Sequence, residues 1–274
     1  MIPTKFDYEV AESVDHAIAL LAEHGDDAKL IAGGHSLLPL MKLRLATPGI
    51  LIDVDRLESL SYVRDDGDTI AIGARTRHCD VQASGLLRSD APILSHAAGQ
   101  VGDPQVRHRG TIGGSIAHAD PASDLPAVLL ALGGSFVAQG PSGTREIPAT
   151  EFFRGFLESA LEPTELLTEI RVPKAPGAGW SFQKFNRRAQ DWAIVGVAAV
   201  RNNGSSGVGL VNMGSTPLFA AGVVDALQAG ASAADAAAHA DEGTEPQNDV
   251  NATPEYRRHL VKVLVRRALE DAGA

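Results

Sequence analysis

AKLIAGGHSLLPLMKLRLATPGILIDV, residues 28–54, has the pattern of strand, glycine turn, helix and strand. Ala28–Ala32 is a short apolar run suited to a buried strand, Leu37–Leu45 has helical spacing, and Ile50–Val54 is a second buried strand. Between the first strand and the helix, Gly33-Gly34 removes two Cβ atoms, so the main chain can take positive φ and approach a ligand closely. The stretch is a βαβ unit. Such crossovers are right-handed and set their first turn at the carboxyl ends of parallel strands, where ligands of open sheets bind. Just upstream, Ser13 caps a helix with Val14, Ile18 and Leu21 on one face, and Gly25 suits its end.

The pattern changes after a first lobe of about residues 1–58. From Leu60 to about Val172 it is one of short alternating strands and polar turns. Thr69–Gly73 follows Asp65-Asp66-Gly67-Asp68, and Phe136–Ala138 runs into the hairpin-grade turn Gly140-Pro141-Ser142-Gly143. These predict an antiparallel sheet, interrupted by helical stretches around Ile93–Val101 and Leu125–Leu132. In Pro173-Lys174-Ala175-Pro176-Gly177-Ala178-Gly179, two prolines and two glycines in seven residues mark a linker. Beyond it come strands Trp180–Phe185, Ala193–Val200 and Val208–Asn212, an Ala-rich stretch from Phe219 to Ala240, and an amphipathic helix Thr253–Ala272. Tyr256, Leu260, Val263, Leu264 and Leu269 are assigned to the inner side of that helix. The fold class is therefore α+β. Lobes of about 1–58 (parallel) and 59–175 (antiparallel) form one domain, and residues 176–274 form a second with a three-stranded antiparallel sheet and helices.

Composition excludes several function classes. Hydrophobic residues are 44% and charged residues 21% of 274, ordinary for a globular protein. A formal charge of -10 repels nucleic acid and anionic membrane surfaces. No run approaches the ~20 apolar residues of a membrane span, and residues 1–8 lack a signal-peptide core, which predicts a cytoplasmic chain. Cys79 is the single cysteine and reads as a small buried residue; with one thiol the chain holds no iron–sulfur cluster of its own.

A second glycine pair, in Thr111-Ile112-Gly113-Gly114-Ser115, is likewise read as lying next to an apolar strand-like run. Neither pair is followed by Gly-Lys-Ser/Thr, and neither has the G-x-G-x-x-G spacing, so P-loop and Rossmann readings are disfavoured. Each pair alone reads as a tight turn, and His35 and Ser36 alone as helix caps. Taken together, the amides and hydroxyls of two loops form a set of anion-directed donors that suits the two phosphates of a dinucleotide.

Ala32–Leu45, with Gly110–Ser115 running on to Asp120-Pro121-Ala122-Ser123-Asp124, resembles the FAD-binding subunit of molybdenum hydroxylases. The resemblance is to the medium-subunit type of aerobic carbon monoxide dehydrogenases, within the xanthine dehydrogenase family. It extends through Lys184–Ala193, Gly209–Asn212 and Thr216-Pro217-Leu218, and so covers nearly the whole chain. The resemblance implies two FAD-binding lobes and a third unit. It implies that Ala32, Gly33, Gly34, His35, Ser36 and Leu37, with Thr111, Ile112, Gly113, Gly114 and Ser115, clamp the pyrophosphate of a noncovalent FAD. Asp124 corresponds to a residue that holds the ribityl chain, or is simply a helix N-cap. Leu167 lies near the flavin, or is a strand core residue. Lys184 stabilises the reduced ring, or is a solvated strand residue. Trp192 covers the ring, or is a core anchor between domains. Relatives that oxidise carbon monoxide carry tyrosine at the position of Trp192, and many members carry asparagine or aspartate at that of Ser115; these departures touch the substrate and not FAD binding.

No catalytic residue for primary substrate oxidation is assigned. His118, Asp120 and Asp124 could be drawn as a metal site, but Asp120-Pro121 reads as a turn and no metal is assigned. Arg107-His108-Arg109 reads as a solvated or interface strand. By resemblance the partners are a large molybdenum-cofactor subunit and a small subunit with two [2Fe-2S] clusters, in a dimer of heterotrimers. Electrons leave through FAD to a quinone or another carrier, and any contact with the inner face of the membrane is made through partners. A xanthine, N-heterocycle or aldehyde dehydrogenase subunit and a stand-alone flavoprotein oxidoreductase are the alternatives.

Overall fold

In the computed structural model, which describes residues 2–273, three parallel strands form the first lobe. They are Asp7–Val10, Ala28–Ile31 and Ile50–Asp53, with Ile50–Asp53 in the centre. The strand–helix–strand unit anticipated at 28–54 is present. Its helix spans Leu37–Lys42, ending short of Leu45 because Arg44 takes φ +58 and turns the chain away. Asp7–Val10 escapes a periodicity reading, since as an edge strand it is exposed or half-buried along its length. Helix Val14–His24 covers the sheet with Ala17, Ile18, Leu20 and Leu21, and Ser13 Oγ accepts from the His16 amide at 3.0 Å.

The second lobe is a five-stranded antiparallel sheet, in spatial order Val63–Asp66, Thr69–Gly73, Leu166–Pro173, Ser135–Gly140 and Gly143–Pro148. The two anticipated helices are Pro92–Ala98 and Asp124–Leu132. Five more, His78–Ala83, Gly85–Asp90, Pro104–Arg109, Ile112–His118 and Ala149–Phe152, are of four to seven residues, too short to display a 3.6-residue period. Two expectations change here. Arg107-His108-Arg109 is not a strand but the last turn of a helix that Asp103 caps, its Oδ1 accepting from the Val106 amide at 2.9 Å. The second glycine pair is not a loop: Gly113 and Gly114 lie in the first turn of Ile112–His118.

Lys174–Ala178 leads to a four-stranded antiparallel sheet of Gly179–Phe185, Val195–Asn202, Ser205–Val211 and the two-residue Leu218–Phe219, which extends the expected three strands by one. Helix Pro254–Asp271 packs on one face through Leu260, Val261, Leu264, Val265, Ala268 and Leu269. Tyr256 is exposed and Val263 half-buried, while Arg257 is buried in their stead because its guanidinium binds the Ile194 carbonyl and the Asp249 carboxylate. Helix Asp124–Leu132 of the second lobe packs on the opposite face. A Cβ at Gly207 or Gly209 would strike the carbonyl oxygens of Ala131 or Ala127, so these two glycines let the helix lie directly on the sheet. Phe182, Ala198 and Val200 accordingly share one apolar core with Leu125, Val128 and Leu129. That sandwiched helix is what brings Asp124 against the strand carrying Lys184.

Candidate functional site

A cleft of about 730 Å³ runs between the three sheets. Ala32, Gly33, Gly34, His35, Ser36 and Leu37 line it from the first lobe, and Thr111, Gly113, Gly114, Ser115, Asp124 and Leu167 from the second. Lys184 and Trp192 line it from the third unit. Ile112 is the exception among the expected residues. Its side chain is fully buried in the core and its amide donates to the Thr76 carbonyl at 3.0 Å.

The first glycine segment is built around unused donors. Gly34 has φ +75, the left-handed region that glycine occupies without penalty. Gly33 has no room for a side chain, because a Cβ would collide with the Arg109 carbonyl and lie 2.9 Å from Gly110 Cα. The amides of Gly33, Gly34, His35, Ser36 and Leu37 donate to no acceptor among the described residues. Ser36 precedes the helix without its side chain capping it. Five consecutive free amides on a turn form a concavity suited to an anion.

The second segment uses its amides internally. The Gly113 amide donates to the Ala74 carbonyl at 2.8 Å and the Gly114 amide to Thr111 Oγ1 at 3.1 Å. Glycine is needed at 113 because a Cβ would come 2.5 Å from both Cβ and the carbonyl oxygen of Ala74. What this segment offers the cleft is the exposed Gly114 backbone and the Ser115 side chain.

A latch joins the two segments from beneath. Asp55, just beyond the third strand, accepts from Arg77 Nη2 at 2.5 Å and lies 3.6 Å from Arg109 Nη1, while Arg77 also binds the Arg109 carbonyl. The Arg109 carbonyl oxygen is thus held where Gly33 abuts it, and the first lobe is fixed against the second.

Asp124 and Lys184 form a buried pair at the far side. Lys184 Nζ is 2.6 Å from Asp124 Oδ2 and 3.0 Å from the Gln100 carbonyl, and the two side chains are 5% and 6% exposed. Burial raises the Asp124 carboxyl to about 6 in spite of the neighbouring cation. The N-cap of its helix is Ser123 and Asp124 follows it, so the capping reading of Asp124 falls; burial likewise removes the solvated reading of Lys184. Asp124 Oδ1 is buried with no hydrogen-bond partner among the described residues, although a buried carboxylate oxygen calls for a donor. The free amides and this orphaned oxygen, on residues that line one cleft, fit a ligand with anionic groups at one part and hydroxyls at another. FAD has that chemistry.

Leu167 belongs both to the core and to the cleft wall, beside a bulge in its strand between Leu167 and Glu169. Trp192 is 58% exposed, which excludes a core anchor and leaves it on the rim. His118 also lines the cleft, with burial lowering its pKa. Asp120 Oδ1 accepts from the Ala122 amide at 2.9 Å, as its reading as a turn residue requires. Cys79 is half-buried rather than buried, with Sγ 3.7 Å from Asp80 Oδ1. Sequence reasoning missed Arg75, His78 and Gly110, all of which line the cleft; a lone histidine after a strand carries no spacing signal that would separate it from a core residue.

Comparison with known proteins accounts for this arrangement. Residues 4–175 match the family described as the FAD binding domain in molybdopterin dehydrogenase, and residues 180–272 the CO dehydrogenase flavoprotein C-terminal domain. The carbon monoxide dehydrogenase medium chain of Hydrogenophaga pseudoflava is 42% identical, covering 100% of this chain and 99% of the relative. The 6-hydroxypseudooxynicotine dehydrogenase complex subunit alpha of Paenarthrobacter nicotinovorans is 41% identical over 99% of this chain and 96% of its own. The solved carbon monoxide dehydrogenase from Hydrogenophaga pseudoflava superposes with a TM-score of 0.96 at 42% identity, covering 99% of this chain and 98% of that one. With its orphaned carboxylate, its free amides and these matches over both of its parts, the chain belongs to the FAD-binding medium subunits of the carbon monoxide dehydrogenase-like molybdenum hydroxylases.

Proposed function

We propose that this chain is the electron outlet of a three-subunit molybdenum hydroxylase. In this reading a large subunit oxidises the primary substrate at a molybdenum cofactor, and a small subunit relays electrons through two [2Fe-2S] clusters. This chain would hold FAD in its cleft and so provide the place from which they pass to an external acceptor such as a quinone. Residues 1–175 are its FAD-binding domain and 176–274 its closing domain, in a cytoplasmic dimer of heterotrimers. Bound FAD supplies a redox group that exchanges electrons singly or in pairs.

The chain's own residues bind, orient and shield. Gly33 to Leu37 donate backbone hydrogen bonds to phosphate oxygens, with Ser36 and Ser115 adding hydroxyls. Asp124, ionised at pH 7, accepts from a ribityl hydroxyl through Oδ1, and Lys184 fixes the carboxylate by holding Oδ2. Leu167 and Trp192, which line the same cleft, would cover the ring and limit water. The single observation that carries this reading is the run of five free amides from Gly33 to Leu37, which lines the same cleft as Asp124, whose buried Oδ1 has no partner among the described residues.

Kinship with carbon monoxide dehydrogenase medium chains favours carbon monoxide as the primary substrate, and kinship with the 6-hydroxypseudooxynicotine enzyme makes an N-heterocycle the second reading. The test is purification of the natural complex and addition of carbon monoxide, a purine, an N-heterocycle and an aldehyde in separate anaerobic arms. One arm is expected to bleach the flavin band of the complex while leaving that of the isolated chain unchanged. Bleaching of the isolated chain by the same compound would make it a self-sufficient oxidoreductase instead.

A further inference from the structure

His78 opens a short helix in the second lobe and is 4% exposed, yet neither of its ring nitrogens has a hydrogen-bond partner among the described residues, and Nδ1 is sealed from solvent. Its position is set by its own amide, which donates to the Gly110 carbonyl at 3.1 Å. Gly110 is where the imidazole meets the cleft. A Cβ there would lie 2.8 Å from His78 Cδ2 and 3.0 Å from Nε2, so the missing side chain is what lets this ring edge approach. Gly110 in turn packs against Gly33, whose own absent Cβ would sit 2.9 Å from Gly110 Cα. Gly33, Gly110 and His78 thus form a stack without intervening side chains, running from the free amides of the first glycine segment to an unpaired imidazole.

Burial is the largest influence on the ring, ahead of the basic side chains near it. His35, Arg107 and Arg77 act on His78, and together with burial they lower its pKa to about 4, so the ring is neutral at pH 7 and keeps one N–H to donate. A buried polar side chain left unpaired is costly, and a basic surround with free amides alongside is an environment for an anion.

We propose that His78 is a cofactor-binding residue, whose Nε2–H donates a hydrogen bond to the phosphate portion of FAD across Gly110, adding a side-chain donor to the backbone donors of the first glycine segment. The inference rests on FAD occupying the cleft as described above. It requires that the neutral imidazole carry its proton on Nε2, leaving the sealed Nδ1 without one. A side-chain amide of similar reach should replace it, and an apolar ring of similar size should not.

The test is titration of the FAD-depleted full chain with FAD, for the natural protein, His78→Phe and His78→Gln, with melting of each FAD-free form recorded beside it. His78→Phe is expected to bind FAD at least about tenfold more weakly, the loss of one hydrogen bond to a charged acceptor. His78→Gln is expected to recover most of that affinity. Equal affinity in all three overturns the assignment, as does an equal loss in both variants, which would make the imidazole a packing element only. Should the phenylalanine ring lower the melting point of the FAD-free form, the smaller His78→Leu takes its place in the same comparison. Failure of the natural chain to bind FAD at all would instead defeat the underlying reading of the cleft.

Discussion

Gly33-Gly34 and Gly113-Gly114 are the same dipeptide put to different physical uses. In the first, Gly34 takes positive φ, Gly33 abuts the Arg109 carbonyl, and the five amides from Gly33 to Leu37 remain unused. In the second, both residues are helical and their amides are consumed by Ala74 and Thr111. The first pair makes a place for a ligand, whereas the second ties a helix to the end of the Thr69–Gly73 strand so that a wall of that place stays fixed. The two pairs are therefore not equivalent as sources of free backbone donors. The backbone donors lie on one side, and the other side contributes the Ser115 hydroxyl and the rigid support behind it.

The largest expected effect tests the ligand-binding half. Gly33→Val drives a branched side chain into the Arg109 carbonyl and lifts the first segment off Gly110, so FAD retention is lost. Because the collision lies at the lobe interface rather than within either core, far-UV circular dichroism of the FAD-free chain should stay unchanged. A variant that keeps full flavin after gel filtration would show that the segment does not hold the cofactor.

The supporting half should respond in stability first. Gly113→Ala places a methyl 2.5 Å from Ala74 and should cost about 1–3 kcal/mol, read as a lower melting temperature of the FAD-free chain. Gly114→Ala meets only Thr111 Oγ1, at 2.7 Å, and gains helix propensity, so its melting point should change little. If the two alanine variants melt alike, the division of labour within the second pair is wrong. Asp124→Asn is expected to weaken FAD binding about tenfold, since the ionised acceptor becomes neutral while the shape is kept. Unchanged FAD affinity would remove Asp124 from the cofactor's contacts.

Legibility in the sequence followed from what each signal physically encodes. Ala28–Asp53 was readable because two buried strands and a helix write their periods over enough residues, and the Ser135–Pro148 hairpin because its turn residues are diagnostic. The helix at Ile112–His118 was not, since seven residues with glycine at the second and third look like a turn, and the bonds that anchor its start, from the Ile112 and Gly113 amides to Thr76 and Ala74, are long-range. The cleft residues Asp124 and Lys184 were found through family resemblance. Their contact depends on Gly207 and Gly209 letting a helix lie flat on a sheet some 80 residues on, a long-range fit that no local pattern records. His78 had neither kind of signal: its meaning lies in what does not touch it.

The smallest net effect concerns pH, and it sets the two sides of the cleft against each other. His78, beside the first glycine segment, has its pKa lowered from 6.5 to about 4, so the stability of keeping it neutral is full above pH 6.5 and is lost as pH falls toward 4. Asp124, beyond the second, has its pKa raised from 3.8 to about 6, so its contribution is full below pH 3.8 and is lost as pH rises through 6. Between pH 4 and 6 the two slopes have opposite sign and nearly offset in the FAD-free chain. Asp124→Asn should therefore make melting fall more steeply on acidification than in the natural protein, and His78→Gln should make it fall less. The measurement is the difference in melting temperature between each variant and the natural chain across pH 4–7, which removes the titrations all three share. Parallel curves would mean that neither group is held in the ionisation state its burial dictates. Binding should break the balance unequally, because an anion placed beside His78 raises its pKa while a hydroxyl donated to Asp124 lowers the carboxyl's. With FAD bound, acidification then costs less at the first glycine segment and more at the carboxylate, and the two variants should exchange sensitivity accordingly.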